Sequence, residues 1–161
     1  MTKQTTTELP KRKRLRMESF DYNTNKLYFI TICTTERRKM LSEIVGDDAH
    51  IVPSKYGKIA EKYIENVPEI EKYVIMPDHI HLIIRIEDSE TGRCGHRPLQ
   101  SNKVSSIIRS LKTLVTKEIG ESVFQRSFFD HIIRDEKDYK EKWEYIDNNP
   151  KQWAERNFKK P

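Results

Sequence analysis

The stretch VIMPDHIHLIIRIE, Val74–Glu87, decides the fold. Side chains of a strand alternate between its two faces, so Ile80, Leu82, Ile84 and Ile86 form one wholly apolar face. His79 and His81 fall on the other face, with Ile83 and Arg85 beyond them. Just upstream, Tyr73–Met76 is a short apolar strand closed by Pro77-Asp78, a turn pair, so the two strands read as a hairpin. An apolar face of this kind needs a cover, and the flanking sequence supplies two amphipathic helices.

The first helix spans residues 53–67, where Tyr56, Ile59, Ala60, Tyr63, Ile64 and Val67 recur at helical spacing before Pro68. The second is Val104–Ile119, with Ile107, Ile108, Leu111, Leu114, Val115 and Ile119 on one face and Gly120 at the position that ends a helix. Arg109, Lys112 and Lys117 lie off that stripe. Leu27–Thr34 (LYFITICT) is a β-branched and aromatic run, read as the first strand, and Phe128–Ile133 is read as the last. Asp135 then opens a final helix that Pro150 is expected to stop. The order strand, helix, strand, strand, helix, strand predicts an α+β fold of ferredoxin-like βαββαβ type, an antiparallel sheet with two helices on one face. The seventh element must pack elsewhere. Such a fold hosts many activities, so function has to come from the site.

Composition narrows the classes. The 161 residues suit one domain, and 34% charged against 35% hydrophobic residues implies a polar surface around an economical core. No apolar run approaches the roughly 20 residues needed to span a bilayer, and no secretory h-region follows the basic N-terminus. Cys33 and Cys94 give no disulfide framework, so a reducing cytoplasm is expected. Net charge is +5, and Lys3, Lys11, Arg12, Lys13, Arg14 and Arg16 crowd into the first 17 residues, opposed there only by Glu8. A basic arm of this kind either contacts nucleic-acid phosphate or is a solubilising tail. Residues 1–10 read as a disordered tail, 11–153 as a single domain, 88–102 as a flexible loop within it, and 154–161 as a polar tail.

Two features carry chemistry. Side by side on a strand, His79 and His81 make half a metal site; two ordinary histidines on a half-exposed face would give the same pattern. In the last helix, at about 100° per residue, Tyr139, Trp143 and Ile146 form the packing stripe. Tyr145 and Asn149 are i and i+4, stacked together beside it. That places a phenol next to an amide that can ligate a metal, or simply a margin tyrosine with its hydroxyl wet.

Four co-linear segments carry a resemblance. VIMPDHIHLIIRI resembles the histidine–hydrophobe–histidine strand of single-tyrosine HUH transposases, and RKRLRMESFDYNTNKLYFITICT, FQRSFFDHIIRDEKD and YIDNNPKQW resemble the REP-associated branch of that family. The likeness implies that His79 and His81 ligate a divalent metal, Mg²⁺ or Mn²⁺, and that Tyr145 is the nucleophile. Asn149 matches the third ligand position, where related insertion-sequence enzymes more often carry Gln. Asp130 and His131 lie in a stretch typical of the branch, with a structural or DNA-contacting role. A phenol of pKa near 10 is only about 0.1% ionised at neutral pH, so the tyrosine needs the metal's help to attack phosphorus.

The implied activity is cleavage and rejoining of single-stranded DNA through a 5′-phosphotyrosine link, at short palindromic hairpins. Lys11, Arg12, Arg14 and Arg16 in the arm, and Arg109 and Lys112 on the second helix, are the candidate DNA contacts, with Phe20 and Tyr22 available to stack on bases. A monomer in the cytoplasm, close to the nucleoid, is expected; insertion-sequence relatives instead form dimers with the tyrosine supplied in trans. Two rivals stand beside this reading. One is a non-catalytic nucleic-acid-binding module on the same fold; the other is a hydrolase using both histidines and Asp78 or Glu87. A zinc site including Cys94 and His96 has ligands too close together and too loop-bound to persuade.

Overall fold

The computed structural model describes residues 25–87 and 100–158. A four-stranded antiparallel sheet is built from β1 (Asn25–Cys33), β4 (Ile70–Ile75), β5 (His79–Glu87) and β6 (Phe129–Ile133), in the spatial order β4-β5-β1-β6. Helices α1 (Lys55–Glu65) and α2 (Gln100–Ile119) connect its strands, and a long helix, α3 (Glu136–Phe158), closes the described chain. The expected α+β arrangement of elements is therefore present. α2 starts inside the stretch read as loop, since residues 100–102 are already helical. The basic arm with Lys11, Arg12, Arg14 and Arg16, the aromatics Phe20 and Tyr22, and the 92–98 loop with Cys94 and His96 lie outside the described residues. Among the described residues no helix is long and apolar enough to cross a membrane.

Alternation along β5 sorts the core into two layers. Ile80, Leu82, Ile84 and Ile86 pack with Tyr28, Ile30 and Ile32 of β1 under α1 (Ala60, Ile64) and α2 (Val104, Ile108, Leu111, Val115). At roughly 1.5–3 kcal/mol for each fully buried aliphatic side chain, this layer is the main stabilising contribution. Ile83 points the other way and packs with Leu27, Val74, Met76, Ile133 and Ile146 of α3. That second layer has a further cover which the sequence reading missed. β2 (Ser42–Val45) and β3 (His50–Pro53) form a separate two-stranded hairpin, turning through Gly46 at φ 74° and Ala49 at φ 51°. Its Ile44, Ala49 and Ile51 join the same cluster. The histidine-bearing face is thus roofed by α3 and a hairpin.

Pro150 does not end α3. It lies inside the helix, which runs on through Phe158 into the stretch read as a polar tail. Proline removes one backbone donor and crowds the preceding turn, a cost of roughly 3 kcal/mol or more in a helix interior. Packing beyond it offsets that cost: Trp153 and Ala154 lie against the second cluster, and Lys39 sits 5.0 Å over the Trp153 ring.

One glycine is fixed by close approach. Ser54 caps α1 by accepting from the Gly57 N–H at 3.1 Å, and its own N–H and hydroxyl donate to the Leu41 carbonyl at 3.0 Å each. The first helical turn is thereby pressed onto residue 41, so a Cβ on Gly57 would lie 2.0 Å from the Leu41 carbonyl oxygen. Alanine is intrinsically the better helix former by about 1 kcal/mol, yet Gly57→Ala should destabilise by roughly 1–3 kcal/mol or more through overpacking. A urea melt measures this, and an unchanged or higher midpoint would contradict the packing described.

Candidate active site

His79 and His81 are the first and third residues of β5, and both are buried, at 7% and 5% exposure. Their rings lie 4.6 Å apart, edge to face. Each has one nitrogen engaged. His81 Nδ1 pairs with Thr31 Oγ1 at 2.8 Å, across the register that sets Thr31 opposite His81. His79 Nδ1 pairs with Asp78 Oδ1 at 2.6 Å, while Asp78 Oδ2 meets Arg37 Nε at 3.2 Å. A carboxylate beside Nδ1 fixes the orientation of the His79 ring and turns Nε2 toward the site, the usual second-layer device behind metal-bound imidazole.

Burial pushes the Asp78 carboxyl up, but the His79 hydrogen bond and the charges of His79 and Arg37 outweigh it and hold the group below its ordinary value. Arg37 reaches Asp78 from a tight 3-10 turn, Thr35–Arg37, in which Glu36 and Arg37 both have φ 55°. Left-handed backbone costs about 1–2 kcal/mol per non-glycine residue. Thr34 anchors the turn, its N–H and its hydroxyl each donating to the Asp78 carbonyl at 3.0 Å. Strain spent on placing one guanidinium beside one carboxylate is of the kind found at functional sites.

His81 Nε2 is the telling atom. It is buried and has no hydrogen-bond partner among the described residues, an arrangement that ordinarily costs 1–3 kcal/mol. Burial first, then the charges of His79, Arg37 and Lys142 against that of Asp78, lower the His81 pKa to about 3. The ring is therefore neutral at ordinary pH, and with its one proton on Nδ1, donated to Thr31 Oγ1, Nε2 would present a lone pair to a cation. Among the described residues no cluster of three His, Cys, Asp or Glu side chains forms that could hold an ion. Completing such a site thus requires another donor type, and an amide oxygen qualifies.

α3 packs over this face and carries both Asn149 and Tyr145. Three contacts pin the helix: Asp138 to His131 Nε2 at 2.7 Å, the Tyr139 hydroxyl donating to Glu71 at 3.2 Å, and Asp147 to Lys72 at 2.7 Å. His131 thereby links β6 to the first turn of α3, while Asp130 is exposed on β6. Tyr145 is 37% exposed and sets its ring edge-on to His81 at 5.2 Å and to Phe29 at 5.8 Å. Phe29 in turn stacks on His81 at 5.1 Å. Asn149 and Ile146 are the buried residues of α3, three apart, so the amide lies on the helix's sheet-facing side, deeper than the margin position expected for it.

One contributor was not foreseen. Lys142 Nζ sits 5.4 Å over the Phe29 ring and makes no ion pair among the described residues, bringing a positive charge close to Tyr145. Its signal in the sequence was its place one helical turn before the tyrosine.

Other candidates fall outside the site. Arg109 and Lys112 belong to α2, which covers the opposite face of the sheet. Arg109 is exposed there. Lys112 is committed to structure: its ammonium donates to the carbonyls of Gln125, Arg126 and Ser127 at 2.9, 3.3 and 3.0 Å, and burial lowers its pKa. Asp78, offered by the hydrolase rival as a ligand, has both oxygens taken by His79 and Arg37, and Glu87 is at the far end of β5.

A family model described as transposase IS200 like matches residues 23–149. A Haemophilus influenzae protein of uncharacterised function is 32% identical over 166 aligned positions, covering 89% of this chain and 91% of its own length. The REP-associated tyrosine transposase of Escherichia coli K12 is 30% identical over 83 positions, 51% of this chain and 44% of its own. Among solved structures, a REP-associated tyrosine transposase bound to a REP hairpin matches with a TM-score of 0.56 at 21% identity, covering 91% of this chain and 75% of its own. At that identity the likeness establishes the fold.

Proposed function

The chain belongs to the transposase IS200-like family, among relatives that include REP-associated tyrosine transposases, and from that premise we propose that it nicks and rejoins single-stranded DNA through Tyr145. One observation carries the proposal: Tyr145 stands edge-on to His81, whose buried Nε2 lacks any partner among the described residues. A packing histidine has no reason to keep a bare nitrogen, whereas a ligand must.

His79 and His81, with Asn149 as third donor, would hold a divalent cation, Mg²⁺ or Mn²⁺ by their mixed nitrogen and oxygen character. When bound, such an ion draws charge from the phosphate oxygens and makes phosphorus the better electrophile. The chain's own residues do the rest. Asp78 and Thr31 fix both imidazoles by their Nδ1 atoms, so the rings need no reorganisation when the substrate arrives. The Tyr145 oxygen attacks phosphorus and loses its proton; the bond to the 3′ oxygen breaks, and that oxygen gains a proton. One phosphodiester is exchanged for a 5′-phosphotyrosine ester, no water is consumed, and the reverse step rejoins strands. Lys142, over the Phe29 ring beside the tyrosine, is placed to attract the phosphate. Because the tyrosine meets a histidine of its own chain, the geometry favours action as a monomer.

DNA with a palindromic hairpin beside a single-stranded segment is the proposed substrate. The test uses such an oligonucleotide, end-labelled, with Mn²⁺, followed by a denaturing gel. A slow-migrating protein–DNA adduct and a fragment ending in a 3′-hydroxyl are expected, and both should vanish with a chelator. Tight binding without any adduct across varied hairpins would instead make the protein a non-catalytic DNA-binding module.

A further inference from the structure

We propose that Phe129 is a stacking platform for one unpaired base of the DNA strand whose phosphate lies at the histidine pair. The inference rests on the reading of this site as a single-stranded DNA site and adds a subsite to it. Cross-strand register gives the placement. Thr31 on β1 is opposite His81 on β5 on one side and opposite Phe129 on β6 on the other. Residues directly opposite share a face, so Phe129 lies on the histidine-bearing face, two strand spacings or about 10 Å from His81.

Along β6 the cover on that face runs out. Ile133 is buried against the second cluster and His131 is clasped to Asp138 of α3, but Phe129 is 67% exposed. An aromatic ring left so open at the rim of a polar site is matched to a partner with an apolar face and polar edges, and a nucleobase has both. The strand entering β6 is braced, so the backbone that carries the ring is held in advance. Phe128, pointing to the opposite face, packs against the first core cluster. Lys112 lies 5.6 Å over its ring while binding the three carbonyls just before it. Little backbone freedom is left to lose on stacking. Stacking reads the base's flat face rather than its edge, so the subsite holds the strand at a fixed distance from the scissile phosphate with little sequence preference.

The test measures binding of a fluorescein-labelled hairpin with a single-stranded extension to the full chain, by anisotropy in chelator, so that no cleavage intervenes. Phe129→Ala and Phe129→Leu should each weaken binding by about 5- to 150-fold, the range of one base–aromatic stack, while Phe129→Trp should bind as well as or better than the parent. An abasic position scanned along the extension should weaken the parent at one site and leave Phe129→Ala unaffected there. If Phe129→Leu binds like the parent, the ring acts only as apolar bulk and the proposal fails; if Phe129→Ala also does, no contact exists. Binding that depends on Phe129 without any adduct in Mn²⁺ would sink the nicking activity and leave the stacking subsite standing. Failure of the parent to bind any single-stranded extension would overturn both.

Discussion

Replacing Tyr145 by phenylalanine should abolish the covalent protein–DNA adduct while leaving the fold and the affinity for hairpin DNA unchanged. The substitution removes one oxygen. The phenyl ring that meets His81 at 5.2 Å and Phe29 at 5.8 Å stays where it is, and the residue is 37% exposed, so stability should move by less than about 0.5 kcal/mol. Loss of the nucleophile acts on another scale, and a fall in adduct formation of at least about a thousandfold is expected. Single-turnover incubation with end-labelled hairpin, read on a denaturing gel, gives the rate; thermal melting and anisotropy supply the controls. Strand cleavage that persists in Tyr145→Phe and leaves a free 5′-phosphate would show that water is the nucleophile. The hydrolase rival would then stand, despite Asp78 being committed to His79 and Arg37.

How far the sequence foretold this site follows from the range of the interactions involved. Alternation in Val74–Glu87 is local, and it correctly separated the core residues Ile80, Leu82, Ile84 and Ile86 from the histidines. Helical spacing likewise put Tyr139, Trp143 and Ile146 on the packing side of α3. Burial is not local. Four-residue strands such as SEIV and HIVP give too short a pattern to stand out, although Gly46-Asp47-Asp48 between them is a turn signal. Missing that hairpin made the histidine face look open, when it is roofed. Pro150 misled for a related reason: a local rule ends a helix there, and packing of Trp153 and Ala154 overrides it. Lys112 looked like a free cation off an apolar stripe because its partners are backbone carbonyls, which no side-chain pattern can display.

The second large effect is expected at His81, where activity and stability should move in opposite directions. His81→Phe keeps a flat ring that can stack on Phe29 as the imidazole does at 5.1 Å, and it deletes the buried Nε2 that has no partner. Relief of that unsatisfied atom contributes about 1–3 kcal/mol, against which the freed Thr31 hydroxyl, now without His81 Nδ1, costs a comparable or smaller amount. In chelator the variant should therefore melt at or above the parent. In Mn²⁺ the order should reverse. A ligand that binds only the folded state stabilises it by RT ln(1 + [L]/Kd), about 2.7 kcal/mol at a hundredfold excess over Kd; the parent gains this and the variant, left with too few donors, does not. Adduct formation in the variant should fall below detection while hairpin binding in chelator is retained. Paired melts with and without Mn²⁺ decide the matter, because a merely structural histidine predicts that His81→Phe shifts both curves equally. A Mn²⁺-induced rise in Tm that survives His81→Phe would place the ion elsewhere in the protein, and the bare nitrogen of β5 would need another partner.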